Sequence, residues 1–464
     1  MNVLSTKLFG TSGIRGSITE KATPSLAMAL GRALGTFLGG SGRVGVGIDA
    51  RTSNIMLRNA FISGAVSAGL DVTDLGICPM PTVAFYSSFD EVSASVIITA
   101  SHNPSTDNGF KFFSGGREFV RSEEEQLEAS VRDSAYLVVP WDKVGSIRRY
   151  DLKETYLSRC IEFLTGRGKG SNGTRVLVDL ANGAATNYTP DLLGRLGFSV
   201  TTMNSHQDGH FPGRPAEPSP RNLGDAMRMA ADSDFAVTIC HDGDGDRLAV
   251  IDEKGEFIDQ NRVIAVFARD EVERNGGGIV VTSIDTSSVI DEVVNKAGGE
   301  VVRMPLGSLQ EFLVSERGKD VVFASEPWKP VFARLGGWMD GILGAGRFAQ
   351  LVDEIGEGSC VALMKTVPEY PVVRDFIRCP DDVKKDFLPR VKSLLIPELS
   401  EVVRVLEVDG FRAERKDGSY VLVRVSGTEP KARVYVGAKD QTTADALAKK
   451  AKDAMTAALD DLQQ

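Results

Sequence analysis

The sequence is poor in the features that mark secreted, membrane-bound and nucleic-acid-binding proteins. It has five cysteines in 464 residues, Cys78, Cys160, Cys240, Cys360 and Cys379, far apart and without a CxxC pair. That excludes a disulfide framework and a thiolate metal cluster, and fits free thiols in a reducing compartment. Its four histidines, His102, His206, His210 and His241, show no metal-ligand spacing. No apolar run approaches the ~20 residues of a membrane span. Met1 to Gly10 lack the apolar stretch of a signal peptide. The net charge of −10 argues against a nucleic-acid surface, although a local cluster of Arg and Lys can still reverse the field inside a cleft. No GxxxxGK[ST] loop is present, which argues against a P-loop kinase. The expectation is a cytoplasmic protein with no nucleic-acid or membrane partner.

What is present is a globular composition, 42% apolar and 25% charged, in a chain too long for one core. One pattern recurs three times. Val44–Asp49, Val176–Asp179 and Ile279–Asp285 are apolar runs ending in aspartate. Each is followed by a polar helix start, a helical stretch, a glycine turn and another short strand. These are βαβ units, which build parallel sheets. Each unit then adds an apolar strand that runs into a distinctive loop. Strand 95–98 leads to Ser101, strand 235–240 to Asp242, and strand 321–324 to Glu326. A helix is expected over 24–38. The stretch 4–18, with Gly10, Gly13, Gly16, Thr11, Ser12 and Ser17 around Arg15, reads as a loop whose amides can approach an anion. The tail differs. A charged helix near 380–395, strands near 403–408, 411–415, 420–425 and 432–438, and a helix over 442–461 describe an α+β domain. Pro368 and Pro371 mark a hinge before it. The domain limits expected are 1–150, 151–252, 253–367 and 368–464. The fold class is α/β: three similar domains with mixed sheets plus a C-terminal α+β domain around a central cleft.

The chemistry lies in the loops. Thr99-Ala100-Ser101-His102-Asn103-Pro104 follows a buried strand, and ligands of open α/β sheets collect outside the carboxyl ends of strands. A serine there is either a nucleophile exposed on a rigid support or a turn-former before proline. Asp242, Asp244 and Asp246 alternate with glycines. Carboxylates this close repel unless a cation sits among them, and oxygen-only ligands favour Mg²⁺ or another hard cation. With Glu253 they match EF-hand positions one, three, five and twelve, but Arg247 replaces the required glycine and the flanks read as strands. Ser426-Gly427-Thr428, with Arg424 before it and Lys431 and Arg433 after it, suits an anion cradle. Glu326 can accept sugar hydroxyls and Lys329 can meet phosphate, while Trp328 either stacks on a sugar or belongs to the core. Asp340 reads as a helix cap.

TASHNP, DGDGDR and RVSGTEP, in this order and spacing, resemble the α-D-phosphohexomutase superfamily (phosphoglucosamine mutase, phosphomannomutase, phosphoglucomutase), on an archaeal-like branch. The resemblance spans the whole chain and implies a C-terminal TBP-like domain. It implies that Ser101 is the phosphorylated serine. It also implies that Ser101 (through a phosphoserine oxygen), Asp242, Asp244 and Asp246 hold Mg²⁺, and that Arg15 and Lys111 stand by the reacting groups; His102 is a catalytic candidate by its place beside Ser101, not a general base. Substrate contacts implied are Arg247, Glu326, Lys329, Arg424, Ser426, Gly427, Thr428 and Arg433. Phe211–Arg214 match family positions near the site. The sequence departs from the family at the sugar loop, usually GExSGH, where Trp328 and Pro330 replace serine and histidine. Ser12 stands where bacterial phosphoglucosamine mutases carry aspartate, and Gly437 where many relatives carry glutamate.

The activity implied is transfer of phosphate between C1 and C6 of a hexose phosphate (glucosamine, mannose or glucose). It runs through phosphoserine and a hexose 1,6-bisphosphate that serves as intermediate and activator. The expected partner is thus a small-molecule hexose phosphate, and the C-terminal domain is expected to swing shut about 368–371. The alternatives are a metal-dependent sugar-phosphate phosphatase using the same serine, and a non-catalytic sugar-phosphate binder.

Overall fold

Strand Ala94–Ile98 is completely buried, as its β-branched run requires, and it pairs on both sides. Arg43–Ile48 runs parallel on one side and Asp107–Ser114 antiparallel on the other. The same arrangement occurs twice more. Val237–Cys240 lies between parallel Arg175–Asp179 and antiparallel Ala249–Asp252. Val321–Glu326 lies between parallel Gly278–Ser283 and antiparallel Lys329–Phe332. In this computed structural model, which describes residues 7–356, 358–426 and 429–463, the internal repeat is therefore real. It forms one seven-stranded and two four-stranded mixed sheets. The fourth sheet, order Val372–Arg378, Lys431–Gly437, Tyr420–Val425, Phe411–Arg415, Val402–Leu406, is antiparallel and carries helices Lys384–Leu395 and Gln441–Gln463.

Two expectations need correction. The stretch 4–18 is not all loop: Ile14–Ser17 is a strand paired antiparallel with Asp107–Ser114, Arg15 opposite Gly109. Its approach is close enough that a Cβ on Gly109 would sit 2.0 Å from the Ile14 carbonyl oxygen, so only glycine fits there. Residues 4–6 lie outside the described residues. The third loop is in fact a tight hairpin. Glu326 pairs with Lys329 across Pro327-Trp328, and Trp328 has φ +67. Proline followed by a left-handed residue is the type II turn pattern, with tryptophan where glycine is usual.

The three α/β units close into a ring. The Met80 amide donates to the Asp244 carbonyl at 2.9 Å, the Leu248 amide to the Trp328 carbonyl at 2.8 Å, and the Gly337 amide to the Gly116 carbonyl at 3.0 Å. One continuous apolar core runs through all three, from Leu75 and Phe113 through Val178 and Ile239 to Phe323 and Phe348. The C-terminal sheet has its own core, including Phe387, Val423 and Met455. It meets the third unit through a small cluster of Ile284, Tyr420, Leu422 and Tyr435. Among the described residues no helix is long and apolar enough to cross a membrane.

Candidate active site

The Ser101 loop is built from its supports inward. Asp49, just past strand Arg43–Ile48, accepts from the Arg51 amide at 2.9 Å, Arg51 Nε at 3.1 Å, Asn54 Nδ2 at 2.6 Å and Thr99 Oγ1 at 2.6 Å. Arg51, so fixed, donates to the carbonyls of Ser101 (2.8 Å), Asn103 (2.7 Å), Pro104 (2.6 Å) and Asp107 (2.9 Å). One buried guanidinium thus satisfies the carbonyls of a loop that has left its sheet. Ser101 itself has φ +50, a left-handed conformation that a non-glycine residue holds only when its surroundings impose it. The second unit repeats the device. Asp179 accepts from Arg214 Nε at 2.7 Å, and Arg214 Nη2 donates to the His241 carbonyl at 2.6 Å. Asp49, Arg51 and Asp179 were not among the site candidates read from the sequence, and Arg214 was named there only as matching a family position near the site. The Asp-x-Arg spacing of 49–51 was the available signal.

These supports bring Ser101 and the aspartate loop together. Ser101 Oγ donates to Asp242 Oδ2 at 2.5 Å, and Thr99 Oγ1 lies 3.1 Å from Asp244 Oδ2. Gly243 permits the approach, since a Cβ there would stand 2.7 Å from the Ser101 carbonyl oxygen. Asp242, Asp244 and Asp246 are fully buried, and each offers a carboxylate oxygen within 4.8 Å of the others. Asp244 Oδ1 and both oxygens of Asp246 accept no hydrogen bond. Buried, unpartnered carboxylate oxygens at this spacing are a hard-cation donor set. Glu253, by contrast, turns away and caps helix Cys360–Met364 by accepting from the Val361 amide at 3.0 Å, as a site unlike an EF-hand requires.

Cations crowd the same point. Lys111 Nζ stands 3.6 Å and Lys329 Nζ 3.8 Å from Asp246 Oδ2, and Arg247 Nε 3.9 Å from Asp242 Oδ2. Arg15 Nη2 is buried with no hydrogen-bond partner. Burial and the like charges of Asp246 and Asp242 push Asp244 well above the usual carboxylate range. Burial works against ionisation of Asp246 too, but Lys329, Lys111, Arg247 and Arg15 outweigh it and hold its carboxyl well below that range. Lys111 is raised: burial opposes its charge, but Glu118, at 2.9 Å, and Asp246 prevail. Lys329 is lowered, chiefly by burial. Glu118 is a site residue that sequence reasoning missed. Glu326 is raised by burial against the pull of Lys329, at 3.9 Å, and its Oε1 accepts from the Gly307 amide at 2.6 Å.

The histidines separate. His102 Nδ1 lies 3.3 Å from Ser101 Oγ and its Nε2 3.4 Å from Arg247 Nη2. Burial and the charges of Arg247, Arg15 and Lys329 lower it to about 2, so its imidazole is neutral. His241 is structural: Nε2 meets Thr189 Oγ1 at 2.9 Å and Nδ1 meets the Arg247 carbonyl at 2.8 Å. Trp328 packs against the second unit's cluster of Leu223, Cys240 and Ile251, with the Arg247 guanidinium 5.6 Å from its ring centroid. Asp340 caps helix Gly341–Glu354, accepting from the Leu343 amide at 2.8 Å. One expectation fails: Ser101 is not exposed but fully buried, closed in by its own bond to Asp242 and by the neighbouring loops.

In the C-terminal sheet Arg424 and Arg433 are direct cross-strand partners, so two guanidinium groups share one face of the sheet. Like charges directly opposite destabilise a sheet unless anions lie between or beside them. Here Asp409 Oδ2 takes Arg424 Nη2 at 2.6 Å, and Glu429 pairs with Arg433. Lys384 Nζ donates to the Ser426 and Glu429 carbonyls at 2.6 Å each. Gly427 and Thr428 lie outside the described residues. Among the described residues no hydrogen bond or ion pair joins Arg424, Glu429 or Arg433 to Ser101 or the aspartates.

Four family profiles match the chain. They are phosphoglucomutase/phosphomannomutase alpha/beta/alpha domains I, II and III over residues 6–137, 154–255 and 259–369, and the C-terminal domain over 378–454. The chain is similar to a phosphopentomutase of Thermococcus kodakarensis, 42% identical over 443 residues (95% of this chain, 96% of the relative). It is also similar to a probable phosphoglucosamine mutase of Methanopyrus kandleri, 40% identical over 452 residues (95% and 96%). A crystal structure of a phosphoglucomutase/phosphomannomutase family protein from Burkholderia thailandensis superimposes with a TM-score of 0.88, 25% identity, and 98% of each chain covered.

Proposed function

The chain belongs to the phosphoglucomutase/phosphomannomutase family of the α-D-phosphohexomutase superfamily, and we propose that it moves phosphate between C1 and C6 of a hexose phosphate by way of Ser101. The observation that carries the reading is the Ser101 hydroxyl, 2.5 Å from one carboxylate of a buried aspartate triad in which Asp244 Oδ1 and both Asp246 oxygens accept no hydrogen bond. The bound sugar would be glucosamine, mannose or glucose phosphate, and a hexose 1,6-bisphosphate would be the intermediate that turns over in the cleft.

Asp242, Asp244 and Asp246, with an oxygen of phosphorylated Ser101, would hold Mg²⁺. When bound, that ion offsets negative charge on the phosphoryl oxygens. Lys111, Lys329, Arg247 and Arg15 surround the same point and would bind the remaining phosphoryl oxygens. Ser101 is buried, so its side chain must turn from Asp242 toward half-buried His102 before it can meet a sugar. Neutral His102 is suited to hold that hydroxyl by a hydrogen bond rather than to take its proton at neutral pH. Glu326, fixed by the Gly307 amide, would accept sugar hydroxyls. Arg424 and Arg433, with Ser426, Gly427 and Thr428, would take the phosphate that is not reacting.

Burial of the serine favours a mutase over a phosphatase, because a phosphoserine open to water is lost by hydrolysis. A second reading, a pentose phosphate as substrate, is favoured by the likeness to the Thermococcus phosphopentomutase. The test is incubation with Mg²⁺, a trace of glucose 1,6-bisphosphate, and the 1-phosphates of glucosamine, mannose, glucose and ribose in turn. Isomerised sugar phosphate supports the proposal. Inorganic phosphate alone supports the phosphatase, and ribose 5-phosphate alone the pentose reading.

A further inference from the structure

The three units are alike down to an aspartate at or just past the end of the first strand: Asp49, Asp179 and Asp285. In the first two the carboxylate is buried and paired with an arginine of its own unit, Arg51 or Arg214. That arginine fastens the following loop by its carbonyls. The third aspartate departs from the pattern. Asp285 is half-exposed, and no lysine or arginine lies within ion-pair distance of it among the described residues. Its hydrogen-bond partner is the hydroxyl of Ser283, at 2.6 Å.

The backbone around this unneutralised carboxylate is nonetheless held. Arg412, fully buried in the C-terminal sheet, donates through Nη1 to the carbonyls of Ile284 at 2.9 Å and Thr286 at 2.6 Å, on either side of Asp285. Its guanidinium stacks on Tyr420, 3.5 Å from the ring centroid. Asp285 therefore stands where the third unit meets the C-terminal sheet. It also leaves the sheet on the edge that presents Glu326, because strands Gly278–Ser283 and Val321–Glu326 are parallel with Thr282 opposite Ser325. The charge of Asp285 acts on both Glu326 and Tyr420. A carboxylate spared its internal cation, fixed at the backbone and set beside the sugar hairpin is free to accept from a ligand.

We propose that Asp285 is a specificity-determining residue that accepts hydrogen bonds from a donor on the substrate's sugar ring, a hydroxyl or an ammonium, alongside Glu326. This rests on the phosphomutase reading. The test compares wild type, Asp285→Asn and Asp285→Ala in kcat and KM for glucosamine, glucose and ribose 1-phosphates, with Tm measured on each protein. Asp285→Ala is expected to lower kcat/KM about tenfold or more, mainly through KM, as for loss of a hydrogen bond to a charged group. Loss confined to glucosamine phosphate, and not restored by Asn, identifies an ammonium. Loss with glucose or ribose phosphate, partly restored by Asn, identifies a hydroxyl. If Asp285→Ala fails to fold, the near-isosteric Asn decides: it must weaken at least one substrate severalfold at unchanged Tm. Both variants within twofold of wild type on all three sugars overturns the proposal while leaving the phosphomutase reading intact. A wild type that only hydrolyses these compounds overturns both.

Discussion

Asp244 is an acid whose ionisation is opposed on balance: burial and the like charges of Asp246 and Asp242 outweigh the pull of Arg15 and Lys111. Because its folded pKa is raised, the stability associated with its protonated form is present below the ordinary carboxylate range and lost as pH rises above it. At pH 7 in chelator, Asp244→Asn is therefore expected to stabilise the protein by about 1–2 kcal/mol, since removing a buried like charge is favourable. In Mg²⁺ the order reverses, because the variant has lost a ligand. Thermal unfolding with chelator and with Mg²⁺ checks this; an Mg²⁺-induced rise in Tm as large as wild type's would contradict it. At this scale the aspartates were legible, because three carboxylates within five residues admit few explanations. Glu118 was not, because its partner Lys111 reaches it through the pairing of strands Asp107–Ser114 and Arg117–Glu118, which no local motif announces. The burial of Ser101 was equally hidden, being imposed by the second unit's loop and not by the serine's neighbours in sequence.

At the scale of elements, the Ser101 loop depends on one side chain. Lysine has a single nitrogen and cannot reach the four carbonyls that Arg51 serves, so Arg51→Lys leaves buried acceptors unpaired. A loss of about 3 kcal/mol in urea denaturation is expected, with a larger relative loss of activity than of secondary structure. Wild-type activity would contradict it. Helix Gly341–Glu354 offers a pH test. Asp340 caps it and accepts from Tyr156 OH at 2.7 Å and Trp338 Nε1 at 3.0 Å, yet burial pushes its carboxyl up from 3.8 to about 6. With the folded value raised, this contribution is complete below pH 3.8 and lost as pH rises through 6. Relative to Asp340→Asn, which does not titrate, wild-type stability should fall by ~2 kcal/mol between pH 4 and pH 7. A pH-independent difference would contradict it. The strands of the repeat were legible as buried β-branched runs. The antiparallel partner Asp107–Ser114 was not, because Asp107-Asn108-Gly109 has the composition of a turn.

At the scale of the molecule, the continuous core through the three α/β units makes them one body, while the C-terminal sheet folds on a core of its own. Among the described residues its junction with the third unit includes a small apolar cluster, the Arg412 bonds, Arg303 Nη1 3.9 Å from Glu414 Oε1, Ser288 Oγ to the Gly418 carbonyl at 2.5 Å, and Tyr370 with Glu292. With such a junction, rotation about the 368–371 segment is expected. The radius of gyration by small-angle scattering is expected to fall when a hexose 1,6-bisphosphate binds, as the Arg424 and Arg433 face closes over the cleft. An unchanged value at saturation would contradict closure. The four-part organisation was visible in the sequence because each α/β unit repeats one pattern. The shared core was not, since which faces meet depends on packing between units far apart in the chain.

Phosphate carried by Ser101 is the claim on which the rest depends. The protein should be incubated with glucose 1,6-bisphosphate labelled in phosphate, freed of excess sugar, and mapped by mass spectrometry. It should then be chased with unlabelled hexose monophosphate. Label on Ser101, absent from Ser101→Ala, that passes to sugar bisphosphate and not to water is the result expected. Label on another residue, or label released only as inorganic phosphate, would contradict the account.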